Sequence, residues 1–363
     1  LDWALDPVSG LRFPLDVPHS RWRLEEVRPG RADVKLPWEL GRCQHFLPLA
    51  QAWTLSRRED FAREILLQMQ DFMEANPVGL GVNWACAMDV AIRALNWALA
   101  LDMVRDCPSL LRADLGEALA ALHDHGTFLR DNLEDGYEVT SNHYLSDIAG
   151  LYFLGVLFRD LPQGRKWREF CRQAMEKEMA GQILPDGADF ESSVPYHRLA
   201  AELFLAAHWL SLSQGEPLSG EYAARLELAL DFLHAVLRPD GLLPQAGDAD
   251  DGRAHIFTDY GRALPQDARH LLGPAGVLFS REAWLGRAGE AGAWEAAWWG
   301  LDPLVREQAP PAGESRPEIP AGQDLPLALE RNMARSLAQA GGGVRFETDA
   351  SPWGYQAQTR PLD

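Results

Sequence analysis

Through most of the chain apolar residues recur at spacings of three and four, as in Phe61, Ile65, Leu66, Met69 and Phe72, or in Met88, Ile92, Leu95, Ala98 and Leu101. That period puts them on one face of an α-helix. It predicts helices over 39–57, 58–75, 85–105, 110–133, 142–160, 163–182, 196–213 and 219–237, separated by turn-forming links such as ANPVGLG and SQGEPLSG. No stretch before residue 240 alternates as a strand does. Short links oblige consecutive helices to fold back, so the expected unit is the antiparallel helical hairpin, assembled as a bundle, a solenoid or a closed ring. One detail favours the ring. Polar and aromatic residues concentrate in alternate segments, WELGRCQHF, NWACAMDVAIRALNW, SNHYLSD and YHRLAAELF, which read as inner helices. REDFAREILLQMQDFM and KWREFCRQAMEKEM are charged enough to form an outer layer. No strict sequence period accompanies the alternation, so a simple repeat array is not supported. Pro48 either kinks the first helix or marks its true start, because proline removes one backbone bond and crowds the preceding turn.

From about Leu242 the texture changes. LLPQAGDADDGRAHIF and LGPAGVLFSREAWLGRAGEAGAWEAAWWG mix glycine with tryptophan, and DPLVREQAPPAGESRPEIPAGQDLP reads as a linker. The last forty residues offer at most one short strand. The expected organisation is an N-terminal extension over 1–31, a helical domain over 32–275, and an irregular tail over 276–363 that is at most a remnant of a further domain.

Composition narrows the function. With 34 Lys and Arg against 53 Asp and Glu, the net charge of −19 argues against broad binding to nucleic acid or anionic membranes. A polyanionic substrate would need a locally basic or hydrogen-bonding cleft. No apolar run of the length a membrane span needs occurs. The chain opens on Leu1 and not on a methionine, so a signal peptide is not judged, and oligomeric state is not legible either. Cys43, Cys86, Cys107 and Cys171 lack metal-like spacing and read as ordinary buried thiols.

Candidate chemistry gathers at a few places. In TSNHYLSD, Ser141 is an N-cap candidate, which sets Asn142 and His143 in the first turn of a helix. Free amides and the positive end of the helix dipole favour an anion there, and disfavour the cationic form of a histidine. The alternative is that Asn142 and His143 only satisfy a buried helix start. In ESSVPYHR, Tyr196 follows a proline at a helix entrance, where its phenol can exchange a proton, or else find one structural partner. His197 next to it faces either way. Trp38, Arg42 and His45 share a face, with Arg42 suited to clamp a carboxylate or to pair with Glu39. Asn83, Trp84, Asp89, Arg93, Asn96 and Trp97 form a second amphipathic set of the kind that recognises carbohydrate, although Trp97 reads better as core and Asp89 with Arg93 as an internal ion pair. Asp186, Asp189 and Glu191 keep paired-carboxylate glycoside hydrolysis open. GDADDGR fails the calcium-loop pattern, because Gly252 stands where a ligand is needed. No nucleophile elbow, Walker loop, dinucleotide fingerprint or HExxH is present.

With those residues in hand, the chain resembles the helical domain of the heparinase II/III-like family of polysaccharide lyases. The resemblance covers about residues 32 to 275. It rests on KLPWELGRCQHFLPLA, GVNWACAMDVAIRALNW, SNHYLSDIAGLYFLGVLF and ILPDGADFESSVPYHRL, on their order, and on the 54 positions between Asn142 and Tyr196. It implies an all-α fold, an incomplete (α/α) toroid of antiparallel helical hairpins, followed in the family by a β-sandwich. It implies β-elimination at a uronic acid of an acidic polysaccharide, without metal or organic cofactor. Asn142 and His143 would hold the carboxylate, and Tyr196 would act as base or acid toward carbon 5 and the departing glycosidic oxygen. Arg42, His45, Trp38, Asn83, Trp84, His197 and Glu191, taken from the residues themselves, are the candidates for binding the substrate. The resemblance also suggests a periplasmic or secreted protein. One departure stands out: the family's further histidine from the β-sandwich has no counterpart after Pro326, the last two histidines being His255 and His270. A glycan-binding toroid without turnover is the reading from another class.

Overall fold

The computed structural model describes residues 1–22, 30, 32–110, 112–136, 139–249, 252–258, 264, 266–301, 344–347 and 358–361. They form two compact units, Leu1–Ala174 and Met175–Asp363.

In the first unit the expected helix at 39–57 is two helices, α1 (Lys35–Gly41) and α2 (Phe46–Ser56), broken at Cys43, whose φ is +53°. Pro48 marks the true start, since the third residue of α2 needs no intrahelical N–H partner. The next helices are α3 (Glu59–Ala75), α4 (Ala87–Val104), α5 (Arg112–Asp131) and α6 (Asn142–Leu157). Each falls within a few residues of its expected range. α2 packs on α3 and α4, α4 packs on α5 and α6, and α3 packs on α5. Burial follows the predicted alternation. α3 buries one stripe, Ala62, Ile65, Leu66, Met69 and Phe72, whereas α4 is buried along nearly its whole length and α6 almost so. The segment ahead of α1 belongs to this core. Trp3 is buried edge-on against Phe72, with ring centres 5.1 Å apart, and Ala4 and Phe13 cluster with Ala32, Val34 and Val82.

A helix buried all round must satisfy its polar side chains internally. Arg93 of α4 donates to His125 Nε2 at 3.0 Å and to Asn83 O at 3.1 Å, and lies over the rings of Phe72 and Trp84. Its partner is therefore not Asp89, as its spacing predicts. Asp89 pairs with Arg42, 2.6 Å away. Burial lowers the His125 pKa to about 3, helped by Arg93, which fixes its ring as the neutral acceptor.

α7 (Pro162–Gln182) leads into the second unit, which contains α8 (Val194–Ser213) and α9 (Gly220–Val236) as expected, and then two helices where glycine-rich irregular chain was expected: α10 (Arg269–Leu278) and α11 (Glu282–Trp298). Their pattern is obscured because Pro274 lies inside α10 and Gly289, at φ +59°, interrupts α11. The glycines are there for contact: a Cβ on Gly273 would sit 1.9 Å from the Gly292 carbonyl oxygen, so only two glycines let these helices touch. His255 holds the unit together from a buried position. Its Nε2 lies 3.1 Å from Glu295 of α11 and its Nδ1 3.4 Å from Glu202 of α8. Burial alone would lower its pKa, but the hydrogen bond to Glu295 and the charges of Glu202 and Glu295 raise it. His270 is buried and neutral, lowered by burial and then by Arg253. Near the C-terminus, β1 (Val344–Glu347) pairs antiparallel with β2 (Gln358–Pro361), two short strands where at most one was expected. Among the described residues no helix is long and apolar enough to cross a membrane.

Candidate functional site

The candidate residues fall in both units, and each group takes its geometry from its own surroundings.

In the first unit Ser141 caps α6 as its sequence predicts, its hydroxyl accepting from the His143 amide at 3.4 Å. Asn142 is then the first helical residue and buried, while the His143 side chain is 46% exposed. The Asn142 carbonyl accepts from Ser146 Oγ at 2.8 Å, which ties the turn down. His143 Nδ1 lies 3.0 Å from Glu134 Oε2. Glu134 is held in turn: its amide donates to Asp147 Oδ2 at 2.8 Å, and its Oε2 accepts from the Met88 amide at 3.3 Å. Burial, and next Glu134, push the Asp147 pKa well above the carboxylate range. Sequence reasoning missed Glu134. The signal was the acidic run NLEDGYE just ahead of the Asn-His pair, of which Tyr137 and Glu138 lie outside the described residues.

The other first-unit candidates are mostly interior. Arg42 is buried between Asp89, at 2.6 Å, and Glu39, at 2.5 Å. Burial opposes its charge, but those carboxylates raise its pKa above the ordinary arginine value. The Glu39 pairing expected as the alternative to a carboxylate clamp is thus present. Asn83 donates to Trp3 O and Asn76 Oδ1, and Trp84 donates to Asn76 O at 3.1 Å. Both are nearly inaccessible, and Trp84 packs against His125 and Phe128. Trp97, read from the sequence as core, is core. Trp38, half-buried, donates to Val82 O at 2.8 Å, and His45 Nε2 lies 2.7 Å from Gln68 Oε1, with its pKa lowered by burial.

In the second unit Ser193 caps α8, accepting from the Tyr196 amide at 3.2 Å and donating to Asp248 O at 2.5 Å. Pro195 in the first turn presets the helical φ. The Tyr196 hydroxyl donates to Asp248 Oδ2 at 3.1 Å, so one loop residue holds both cap and phenol. That loop is locked by Gly247, at φ +85°, where a Cβ would sit 2.6 Å from Ser193 Cα. Asp248 belongs to the run first weighed as a calcium loop; Asp250 and Asp251 lie outside the described residues. His197 points inward. Its Nδ1 accepts from the Asp189 amide at 3.2 Å, its Nε2 donates to Ala229 O at 2.9 Å, and burial lowers its pKa to about 4. Asp189 is only 4% exposed, its Oδ1 accepts from the Glu191 amide at 2.9 Å, and burial raises its pKa to about 7. Glu191 is half-buried beside it. Asp189 braces the loop ahead of α8, which is poor placement for the water-activating carboxylate of a hydrolase.

Comparison with known proteins decides the ancestry. The family model described as heparinase II/III N-terminus matches residues 2–269. The chain belongs to the heparinase II/III family. It is 25% identical over 257 residues to a heparin-sulfate lyase of Pedobacter heparinus, an overlap of 67% of this chain and 37% of that relative. A heparin-sulfate lyase of Bacteroides stercoris is also 25% identical, over 63% of this chain and 36% of its own length. A solved heparan sulfate lyase structure from Pedobacter heparinus superposes with a TM-score of 0.53 at 21% identity, covering 77% of this chain and 42% of that one. The likeness shows the fold, and the expected all-α (α/α) toroid class is borne out. The chain spans well under half the length of the relatives it matches.

Proposed function

We propose that this chain is part of a polysaccharide lyase that cleaves a uronic-acid-containing polysaccharide by β-elimination. Family membership over residues 2–269 supports the reading most strongly, and the names of the relatives, heparin-sulfate lyases, point to an acidic glycosaminoglycan. Elimination removes the proton on carbon 5, adjacent to a carboxylate, so negative charge accumulates on a group that is already anionic. An enzyme gains most by neutralising that charge as it develops. Asn142 and His143, at the capped and positively polarised start of α6, supply hydrogen bonds for the carboxylate. Tyr196 exchanges the proton. At rest its hydroxyl donates to Asp248; once that hydrogen has passed to Asp248 Oδ2, the phenolate takes the carbon-5 proton and hands it to the departing glycosidic oxygen, after which Asp248 returns the hydrogen to the phenol. The electron pair of the broken C5–H bond becomes the new C4–C5 double bond, and the C4–O bond electrons leave with the glycosidic oxygen. His197 and Arg42, by contrast, serve as supports: one holds the loop that carries Asp189, the other neutralises Asp89.

The test is to incubate the chain with heparan sulfate, hyaluronan and alginate separately and to follow the ultraviolet absorbance of an unsaturated uronate. A rise on at least one is expected. New reducing ends without that absorbance would signify hydrolysis and refute elimination. Binding of a glycan with neither product would favour a toroid that binds without turnover.

A further inference from the structure

Three side chains from three separate segments meet near the start of α6. Cys86 immediately precedes α4, Glu134 lies in the link after α5, and His143 is in the first turn of α6. Cys86 Sγ is 4.0 Å from both Glu134 carboxylate oxygens and 3.9 Å from His143 Nδ1, and Nδ1 is 3.0 Å from Glu134 Oε2. The three donor atoms all lie within 4.8 Å of one another. Around a tetrahedral zinc ion such donors stand about 3.3–3.6 Å apart, so shifts of a few tenths of an ångström would seat an ion among them. The donor set is a soft thiolate, an imidazole and a carboxylate, the combination that suits zinc and not calcium or magnesium. We propose that Cys86, Glu134 and His143 form a site for a divalent thiophilic ion, zinc by its chemistry, bound through Sγ, a carboxylate oxygen and Nδ1.

The surroundings fit. Cys86 is buried, Glu134 is a quarter exposed and His143 nearly half exposed, so the site is walled on the sulfur side and open on the imidazole side. That leaves a fourth position for water or a carboxylate oxygen. Supports behind the donors fix them: the Met88 amide and the Asp147 carboxylate position Glu134. Before an ion arrives, burial, then Asp89 and Glu134, raise the Cys86 thiol well above its ordinary pKa, and Asp89 is itself paired with Arg42. Binding therefore balances as follows. The S–H bond breaks and its proton leaves to solvent as the S–Zn bond forms; the ring moves its hydrogen to Nε2, freeing the Nδ1 lone pair; and thiolate plus carboxylate cancel the two positive charges. Affinity must rise with pH, because the proton competes for sulfur. The proposal stands on this geometry and does not need the lyase reading. Because His143 is common to both, an occupied site offers an arriving carboxylate its open position beside a ring whose hydrogen sits on Nε2.

The experiment is equilibrium dialysis of the chelator-stripped chain against zinc, with cobalt(II) as the spectroscopic substitute. A single tightly held equivalent is expected, with a thiolate-to-cobalt charge-transfer band in the near ultraviolet. Cys86→Ser should abolish the band, and both it and Glu134→Gln should weaken zinc binding roughly tenfold or more. Cys107→Ser, a buried cysteine elsewhere, should change neither. Should Cys86→Ser fail to fold, Glu134→Gln carries the test alone. Absence of tight zinc, or a band and affinity that survive Cys86→Ser or Glu134→Gln, overturns the site.

Discussion

The starts of α6 and α8 are built alike and used differently. Each begins with a serine cap, Ser141 or Ser193, that accepts from an amide of the first turn, and each carries a histidine just inside, His143 or His197. Each also faces an acidic residue from a neighbouring loop, Glu134 or Asp248. The histidines part company through helical phase. His143 is the second residue of α6 and leans to solvent, whereas His197 is the fourth of α8 and turns inward to Ala229 and Asp189. At α8 the outward position belongs to Tyr196. A shift of a residue or two along the same capped turn thus decides which aromatic side chain faces outward, as the proposed chemistry requires, and which holds the loop.

Exchange of the two histidines for alanine breaks that comparison most sharply. His143→Ala should lower product formation roughly a hundredfold or more with little change in melting temperature, since a positioned polar group at a developing anion is worth about that much. His197→Ala should instead destabilise the fold by about 2–4 kcal/mol, read by urea unfolding, because it opens a cavity beside Phe232 and strands two backbone partners. Equal behaviour of the two variants would end the distinction.

Gly247→Ala comes next. The added Cβ meets Ser193 Cα at a backbone angle that L-residues avoid, so a loss of about 2–3 kcal/mol is expected, with the Tyr196–Asp248 contact disturbed. Among the described residues the start of α6 has no equivalent lock, since a Cβ on Gly136 would meet nothing within 4 Å.

The acid–base behaviour of the α8 loop is smaller and has a sign. Asp189 has its pKa raised from 3.8 to about 7 on folding, so its contribution is present below about pH 4 and lost as pH climbs to 7. His197 has its pKa lowered from 6.5 to about 4, so its contribution is present above pH 6.5 and lost as pH falls through 4. The two slopes oppose each other across that window. Asp189→Asn leaves only the second, and its stability should climb with pH more steeply than the wild type's between about pH 4 and 7. An unchanged slope would mean that Asp189 ionises freely.

The caps should differ least. Ser141→Ala is expected to cost about 1 kcal/mol in thermal unfolding, and Ser193→Ala somewhat more because Ser193 also donates to Asp248 O.

What the sequence disclosed follows from periodicity and position. Helical phase identified α3 through α9 to within about three residues at each end, because each spreads its apolar stripe over several turns between strong turn signals. It did not disclose α10 and α11, whose small residues exist for close helix contact and look like loop in one dimension. The Asn-His pair and Tyr196 were legible as helix-entrance residues since caps are local. Their acidic partners were not: Glu134 and Asp248 reach their sites from loops 9 and 52 residues away in sequence. Burial was likewise hidden for Asn83 and Trp84, which read as glycan contacts and pack as core, since amides and indoles suit either environment once their hydrogens find acceptors.

In the proposed elimination Tyr196 moves the proton. That role is tested most directly by the ultraviolet absorbance of unsaturated uronate formed by Tyr196→Phe beside the wild type on whichever acidic polysaccharide the wild type cleaves. Loss of product by roughly 10²–10⁴-fold is expected in a variant that melts as the wild type does. Product formation at the wild-type rate would contradict it.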